Sequence, residues 1–496
     1  RQAGGRRVRR RAARRGRGEG GGRPMNARRR DGLLRQRDFR LLWAGETTSR
    51  FGSNITGVAM PLVAVVTLDA STFWVSALAA AAWLPWLFLG LPAGAWVDRL
   101  PRRPLMVACN VASLVLLLSV PAAAWLDVLT MTQLLLVALL TGVANVFFSI
   151  AYRVYVPFVV PREHLTEANA KLQGSESAAQ LAGLGGGGAL AGAFGAVAGL
   201  VANAATFLVA TLCLLGIRAR EPVPERPERP QALRKDVTEG LRHTVRDPYL
   251  RVLTTYGTVT NLLLTGYQAI LTVFLVRELH VGEAMVGWLL AGSSVGGLLG
   301  AVVATPVARR FGTARGMLLC KFATAPFGLL IPLAEPGWRV VLLPVGGAML
   351  ALGVVSANVI QGAFRQQYCP PQLLGRITAS VSVANFGAIP IGSLLGGVLG
   401  GVLGLRPALW LLTAGLAVSS VLLLAGPLRA RRDLPTEPPA ESAESAESAG
   451  SAESAKAAEP GGPPEPADPS DPSDPSSDPA HPSDRRALRY AVPEQG

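Results

Sequence analysis

The chain has 496 residues, of which 50% are hydrophobic and only 16% charged, with a formal net charge of +15. Soluble domains carry about a quarter charged residues, so this chain lacks the polar surface to cover a large soluble fold. Four scattered cysteines and four isolated histidines offer no metal spacing or disulfide frame. No phosphate-cradling G-x-x-x-x-G-K-[ST] loop or nucleophile–base set is present, so no enzymatic activity and no cofactor is expected.

Residues 1–37 form a basic tail, with Arg6, Arg7 and Arg9-Arg10-Arg11. Such a tail is expected to lack a packed core and to favour anionic lipid headgroups over nucleic acid. Residues 38–217 hold six apolar blocks of bilayer length and read as a first six-helix bundle. Span one, Asp38 to about Leu68, carries Glu46, Thr47, Thr48, Ser49, Arg50, Ser53 and Asn54. A helix with that many polar groups cannot face lipid all round, so it should line an interior. Glu46 and Arg50 are four apart, share a helix face and can pair. They are the candidate proton or ion coupling residues, with a static ion pair near the interface as the competing role.

Span two (about 74–97) and span three (to Trp125) flank a short cationic loop, Gly94-Ala-Trp-Val-Asp98-Arg99-Leu-Pro-Arg102-Arg103-Pro104. Span four, about 133–157, carries Asn145 and Arg153. Span five holds Leu181-Ala-Gly-Leu-Gly-Gly-Gly-Gly-Ala-Leu-Ala-Gly192, a glycine density that lets membrane helices approach closely. Span six runs from about 197 to 217. Residues 218–251 turn polar: Pro222 to Pro230 cannot be helical, and Ala232 to Val245 reads as an amphipathic helix on the membrane surface.

Residues 252–428 supply six more spans, at roughly 252–276, 284–308, 316–333, 339–364, 374–402 and 407–428. Asn261, Gln268, Asn358 and Gln361 lie inside them. With Asn54 and Asn145 they are candidates for lining a substrate cavity, against the alternative of helix–helix hydrogen bonding. Residues 429–496 become Glu-Ser-Ala and Asp-Pro-Ser repeats that cannot bury a core.

Two sequence echoes recur about 210 residues apart, the basic loop (again at Arg309-Arg310-Phe-Gly312) and a Pro…Gly…Gly-Gly pattern. They point to a duplicated unit. Basic residues gather at one side of the spans, where Arg277, Arg339 and Arg406 are the exceptions on the other. The expectation is an all-α integral membrane protein of twelve helices in two pseudo-symmetric six-helix bundles, multi-pass in the plasma membrane, with both termini cytoplasmic.

The loop at 94–103 resembles the G-x-L-A-D-R-x-G-R-R/K loop between the second and third helices of the major facilitator superfamily, with Pro101 where that family has Gly. Gly183-Leu184-x-x-Gly187-Gly188 is similar to the G-P-x-x-G-G motif of its antiporters, with Leu184 in place of Pro. Trp43 to Gly52, Glu167-Ala-Asn169 and Leu374-Gly-Arg-Ile377 resemble the twelve-helix drug and siderophore exporter branch. The resemblance spans Asp38 to Leu428. It implies proton-driven efflux of a hydrophobic or amphiphilic small molecule by alternating access, and a monomer in the bilayer is expected. A lipid or lysophospholipid mover on the same fold, and a transport-inactive scaffold or sensor, stay open as alternatives.

A gating role for the loop follows from the physics of helix ends. Asp98 closes span two on the side where Arg376 opens span eleven, and a helix start attracts a carboxylate. The expected gate therefore comprises Gly94, Asp98, Arg99, Arg102, Arg103 and Arg376, with the three loop arginines held by acidic or carbonyl partners near Glu163 and Glu167. The competing role of these charges is to set topology alone.

Overall fold

The computed structural model describes Leu33, residues 36–219 and residues 241–435, except 91, 98, 161–163, 370, 425, 426 and 430. A bilayer offers backbone groups no water, so spanning segments close their hydrogen bonds internally as helices. Six rods form the first half: α1 (Arg37–Leu62), α2 (Thr72–Leu89), α3 (Arg102–Trp125), α4 (Met131–Val159), α5 (Leu165–Phe194) and α6 (Ala196–Gly216). The second half repeats them: α7 (Pro248–Arg277), α8 (Glu283–Phe311), α9 (Thr313–Thr324), α10 (Leu342–Tyr368), α11 (Pro371–Val402) and α12 (Leu405–Ser419).

Nine of these have the length and hydropathy to cross a membrane. The other three are α1, interrupted by its polar run, α5, rich in glycine and polar residues, and α9, which is short. Pro326 cannot continue the α-helical ladder of α9, and the chain goes on as a 3-10 helix from Ala325 to Leu330. The start of α7 falls earlier than the hydropathy implies. Asp247 accepts hydrogen bonds from the amides of Tyr249 (2.9 Å) and Leu250 (2.8 Å), and Pro248 fits the first helical turn. Of the expected surface helix over Ala232 to Val245, residues 241–245 are described and helical; the rest lies outside the described residues, as do most of the two tails.

The duplication is visible in the packing. In the first half α1 packs on α5 and α6, α2 on α4, and α3 on α4 and α6. Raising every number by six gives the packed pairs of the second half, the 3-10 turn Ser420–Leu424 that follows α12 standing in for it against α9. Between the halves, α2 meets α11 and α5 meets α8, and these two seams are again exchanged by the same shift. The turns repeat as well: Gly195 between α5 and α6 has φ 83° and ψ 159°, and Gly404 between α11 and α12 has φ 89° and ψ 161°. Only glycine adopts that backbone without strain.

The rods sort the loops to two ends. One, the basic end, carries Arg99, Arg102, Arg103, Lys171, Arg218, Arg309, Arg310 and Arg315. At the opposite end, each of the three exceptional arginines has a carboxylate. Arg277 donates to Asp69 at 2.7 Å, Arg339 to Glu335 at 2.7 Å, and Arg406 to Glu278 at 3.4 Å. The first of these pairs ties the α1–α2 loop to the end of α7, and so clasps one half to the other.

Candidate functional site

Where α5 crosses α8, the glycines of the Gly183–Gly192 run take two faces. Gly183 and Gly187 lie against Phe51 and Ile55 of α1. Gly188 and Gly192 lie against Gly287 and Ala284 of α8. A methyl group on Gly188 would stand 2.6 Å from the Cα of Gly287 and 2.8 Å from the carbonyl oxygen of Ala284, so the two backbones touch. At the other seam, Thr72 and Ser76 of α2 abut Gly400 and Gly397 of α11. Both contacts sit toward the opposite end. On the basic side of these contacts, a Cβ on Gly174, Gly362 or Gly375 would meet nothing within 4 Å.

Above the seams lies a cavity of about 810 Å3 with walls from both halves. Its surface is mostly apolar, from residues such as Leu184, Val355 and Ile389, with Gln173, Gln180, Gln268 and Ser293 as polar points. Trp83 lines it and stacks on Phe386 across the α2–α11 seam at 6.0 Å, while Trp86 approaches the same ring at 5.4 Å. Tyr267 also lines it. Phe88 points outward at 66% exposure, and Phe147 stacks on Trp96 instead.

A second space of about 240 Å3 lies inside the first half, bounded by Glu46, Arg50, Asn110 and Asn145. Nε of Arg50 donates to Oε1 of Glu46 at 2.6 Å, the pairing that the four-residue spacing implies. The other carboxylate oxygen of Glu46 is buried and accepts nothing from a described residue. Glu176 of α5 stands 3.7 Å from the Arg50 guanidinium, so one cation lies between a buried and a half-exposed carboxylate. Arg153 and Asn145 line the adjoining space of about 620 Å3 with Arg50 and Glu176. Asn54 lies apart from these walls, its amide donating to the carbonyl of Arg50 at 2.8 Å.

Asn261, Asn358 and Gln361 come together in the second half, around a space of about 400 Å3. Lys321 and Arg365 line it too. A lysine within an otherwise apolar span is the sequence signal that marks such a site. Gln173 and Gln180 lie on α5, whose glycine run signals close helix packing more strongly than a binding wall.

At the basic end, one of the loop arginines meets carbonyl partners on another helix. Arg103 donates to the carbonyl oxygens of Leu214 (2.9 Å) and Leu215 (2.7 Å), capping the end of α6. Glu167, proposed as a partner, pairs with Lys171 at 3.5 Å and faces His164 at 3.6 Å. A helix C-terminus carries partial negative charge on its free carbonyls, which suits a cationic guanidinium. Arg99 is exposed, and Arg376 is half-buried at the start of α11. Gly94 is half-buried on the short helix Pro92–Val97, and Asp98 lies outside the described residues, as does Glu163. The equivalent loop of the second half, which has no carboxylate of its own, borrows one. Asp433 accepts from the amide of Thr313 at 2.9 Å, and the carbonyl of Arg432 accepts from the amides of Ala314 and Arg315.

The family profile described as "transmembrane secretion effector" matches residues 32–449. The chain is similar to the multidrug efflux pump Tap of Mycolicibacterium fortuitum, 25% identical over 398 residues that cover 79% of this chain and 96% of the relative. It is 27% identical to the pump of the same name from Mycobacterium tuberculosis over 404 residues, covering 79% and 93%. Among solved structures, its fold is similar to the nucleoside transporter NupG (D323A mutant), with TM-score 0.66, 12% identity, and 78% and 99% of the two chains covered. A bacterial homologue of the iron transporter ferroportin in its inward-facing state gives TM-score 0.65 at 17% identity, covering 81% and 100%.

Proposed function

Because the chain belongs to the transmembrane secretion effector family of major facilitator transporters, we propose that it exports hydrophobic or amphiphilic small molecules by alternating access, driven by the proton gradient. The observation that carries this reading is the 810 Å3 cavity shared by both halves. Drug-sized ligands occupy pockets of about 300–1,000 Å3 with mostly apolar walls and a few polar points. The multidrug efflux pumps among the relatives support the same substrate class.

Glu46 is the proposed proton carrier. As a carboxylate it pairs with Arg50; when it takes a proton, Arg50 turns to Glu176. That exchange would link occupancy of α1 to the position of α5, one of the helices at the seam. The basic end is assigned to the cytoplasm, since short arginine-rich loops stay inside, and the protein to the plasma membrane. Gly94, Asp98, Arg99, Arg102, Arg103 and Arg376 form the gate at that end in this reading, with Arg103 anchoring the loop on α6.

The test is accumulation of a panel of fluorescent lipophilic compounds in cells with and without the gene, with and without a protonophore. Lower accumulation of at least one compound, restored by the protonophore, is expected. Equal accumulation across the panel, with the protein demonstrably in the membrane, would refute export.

A further inference from the structure

Lys321 is 4% exposed, three-quarters of the way along α9, and burying an ammonium ion costs several kcal/mol unless something answers its charge. Its ammonium faces the ring of Tyr256 at 5.3 Å and forms no ion pair with a described residue. Arg365 of α10 lines the same 400 Å3 space, also without an acidic partner among the described residues. No Asp or Glu lines it. The described carboxylates at the basic end of this half are committed elsewhere: Asp247 caps α7 and accepts from the hydroxyl of Tyr368, and Asp433 caps α9. Around the two cations stand the amides of Asn261, Asn358, Gln361 and Asn385. The hydroxyl of Thr258 donates to Oδ1 of Asn385 at 3.4 Å, which leaves the amide NH2 of that residue as a donor.

The duplication sharpens the point. Lys321 lies eight residues into α9 and follows Cys320; Asn110 lies eight residues into α3 and follows Cys109. Asn110 is as buried, at 2%, and lines the space that holds Glu46. At equivalent places the first half thus presents a neutral amide beside a carboxylate, and the second a lysine with no carboxylate. Packing cannot explain the exchange, since an amide fills the same position in the repeat.

We propose that this second-half space is an anion-recognising subsite of the transport cavity, where Lys321 and Arg365 bind a carboxylate or similar anionic group on an amphiphilic substrate while the amides donate to its remaining oxygens. This rests on the export reading for its biological role, but not for its test. The purified full-length protein in nanodiscs of phosphatidylcholine is titrated with dansylglycine, dansylamide and dansylcadaverine, which share a fluorophore and differ in charge. Energy transfer from tryptophan reports binding, Trp83 and Trp86 lying against Phe386, which also lines the subsite.

Dansylglycine should bind about tenfold tighter than dansylamide, the scale of one charge-assisted contact. Lys321→Gln should erase that preference while dansylamide binds as before, and Lys321→Arg should keep most of it. Arg365→Gln, at a half-buried site that tolerates exchange, should reduce the preference as well. Equal binding of the three probes to the wild-type protein would overturn the proposal without any variant, and so would an unchanged preference in a folded Lys321→Gln protein. Loss of the preference on replacing half the lipid with phosphatidylglycerol would assign the subsite to a lipid headgroup and overturn it too. A preserved anion preference in a protein that exports nothing from cells would fault the export reading alone.

Discussion

Replacing Gly188 by alanine should force apart the sealed end of the cavity while leaving each half folded. The added methyl would meet the Cα of Gly287 at 2.6 Å, its nitrogen at 2.7 Å and the Ala284 carbonyl oxygen at 2.8 Å. All three are backbone atoms, so no side chain can swing away. Carbon atoms rest about 3.5–4.0 Å apart, so α8 must withdraw by about 1 Å. Overpacking of this kind costs about 1–3 kcal/mol. When the halves part at this seam the methyl meets nothing, and the better helix propensity of alanine counts equally in both states. The whole penalty therefore falls on the sealed state and should shift the equilibrium about 5- to 150-fold toward the state open at that end. Spin labels at Leu126 and Trp338, exposed at the opposite end on different halves, would report it as a new long-distance population by double electron–electron resonance. The control is Gly296→Ala. Gly296 presses on the carbonyl of Ala348 within the second half, so that change should lower thermal stability without altering the distance. An unchanged distance distribution in a Gly188→Ala protein that melts like the wild type would refute the reasoning.

Three further outcomes follow from single contacts. Arg103→Ala should lower stability by about 1–2 kcal/mol, read as detergent melting, because two carbonyls at the end of α6 lose a cationic donor; a variant as stable as wild type would leave the loop with a topological role only. Glu46→Gln should flatten the pH dependence of export in proteoliposomes, whereas Glu176→Gln, whose carboxylate is half-exposed and 3.7 Å from Arg50, should leave most of it; an intact pH response in Glu46→Gln would remove the proposed carrier. Asp433→Ala should cost about 0.5–2 kcal/mol through the lost cap on α9, and a chain cut after Pro435 should melt like the full protein while one cut after Arg432 should not.

The rods were legible because lipid imposes one demand on every spanning segment, and runs of apolar residues betray it. The Glu46–Arg50 pair was legible for a similar reason, since spacing along one helix settles which side chains can meet. What pairs across the bundle was not. Nothing near Arg103 in sequence points to the end of α6, 111 residues away, or ties Asp433 to Thr313 across 120 residues. Asn54, grouped with the cavity candidates for its polarity, bonds to its own helix, because periodicity ranks faces but does not tell which neighbour covers each. Lys321 stood in plain view within an apolar span; its meaning depended on the missing carboxylate, which only the packing of α7, α9, α10 and α11 around it could reveal.

The contact between Gly188 and Gly287 also bears on how fast the protein can cycle. Seals built from large interlocking side chains exclude water well, but each must leave its socket and find the same rotamer again on every turnover. Two bare backbones carry no such memory. They can roll apart and return without any side chain changing state, so the work of opening is confined to lost dispersion over a small area. Tightness here comes from proximity instead of bulk, which keeps the work of parting the two backbones within the few kcal/mol that a bound solute can supply.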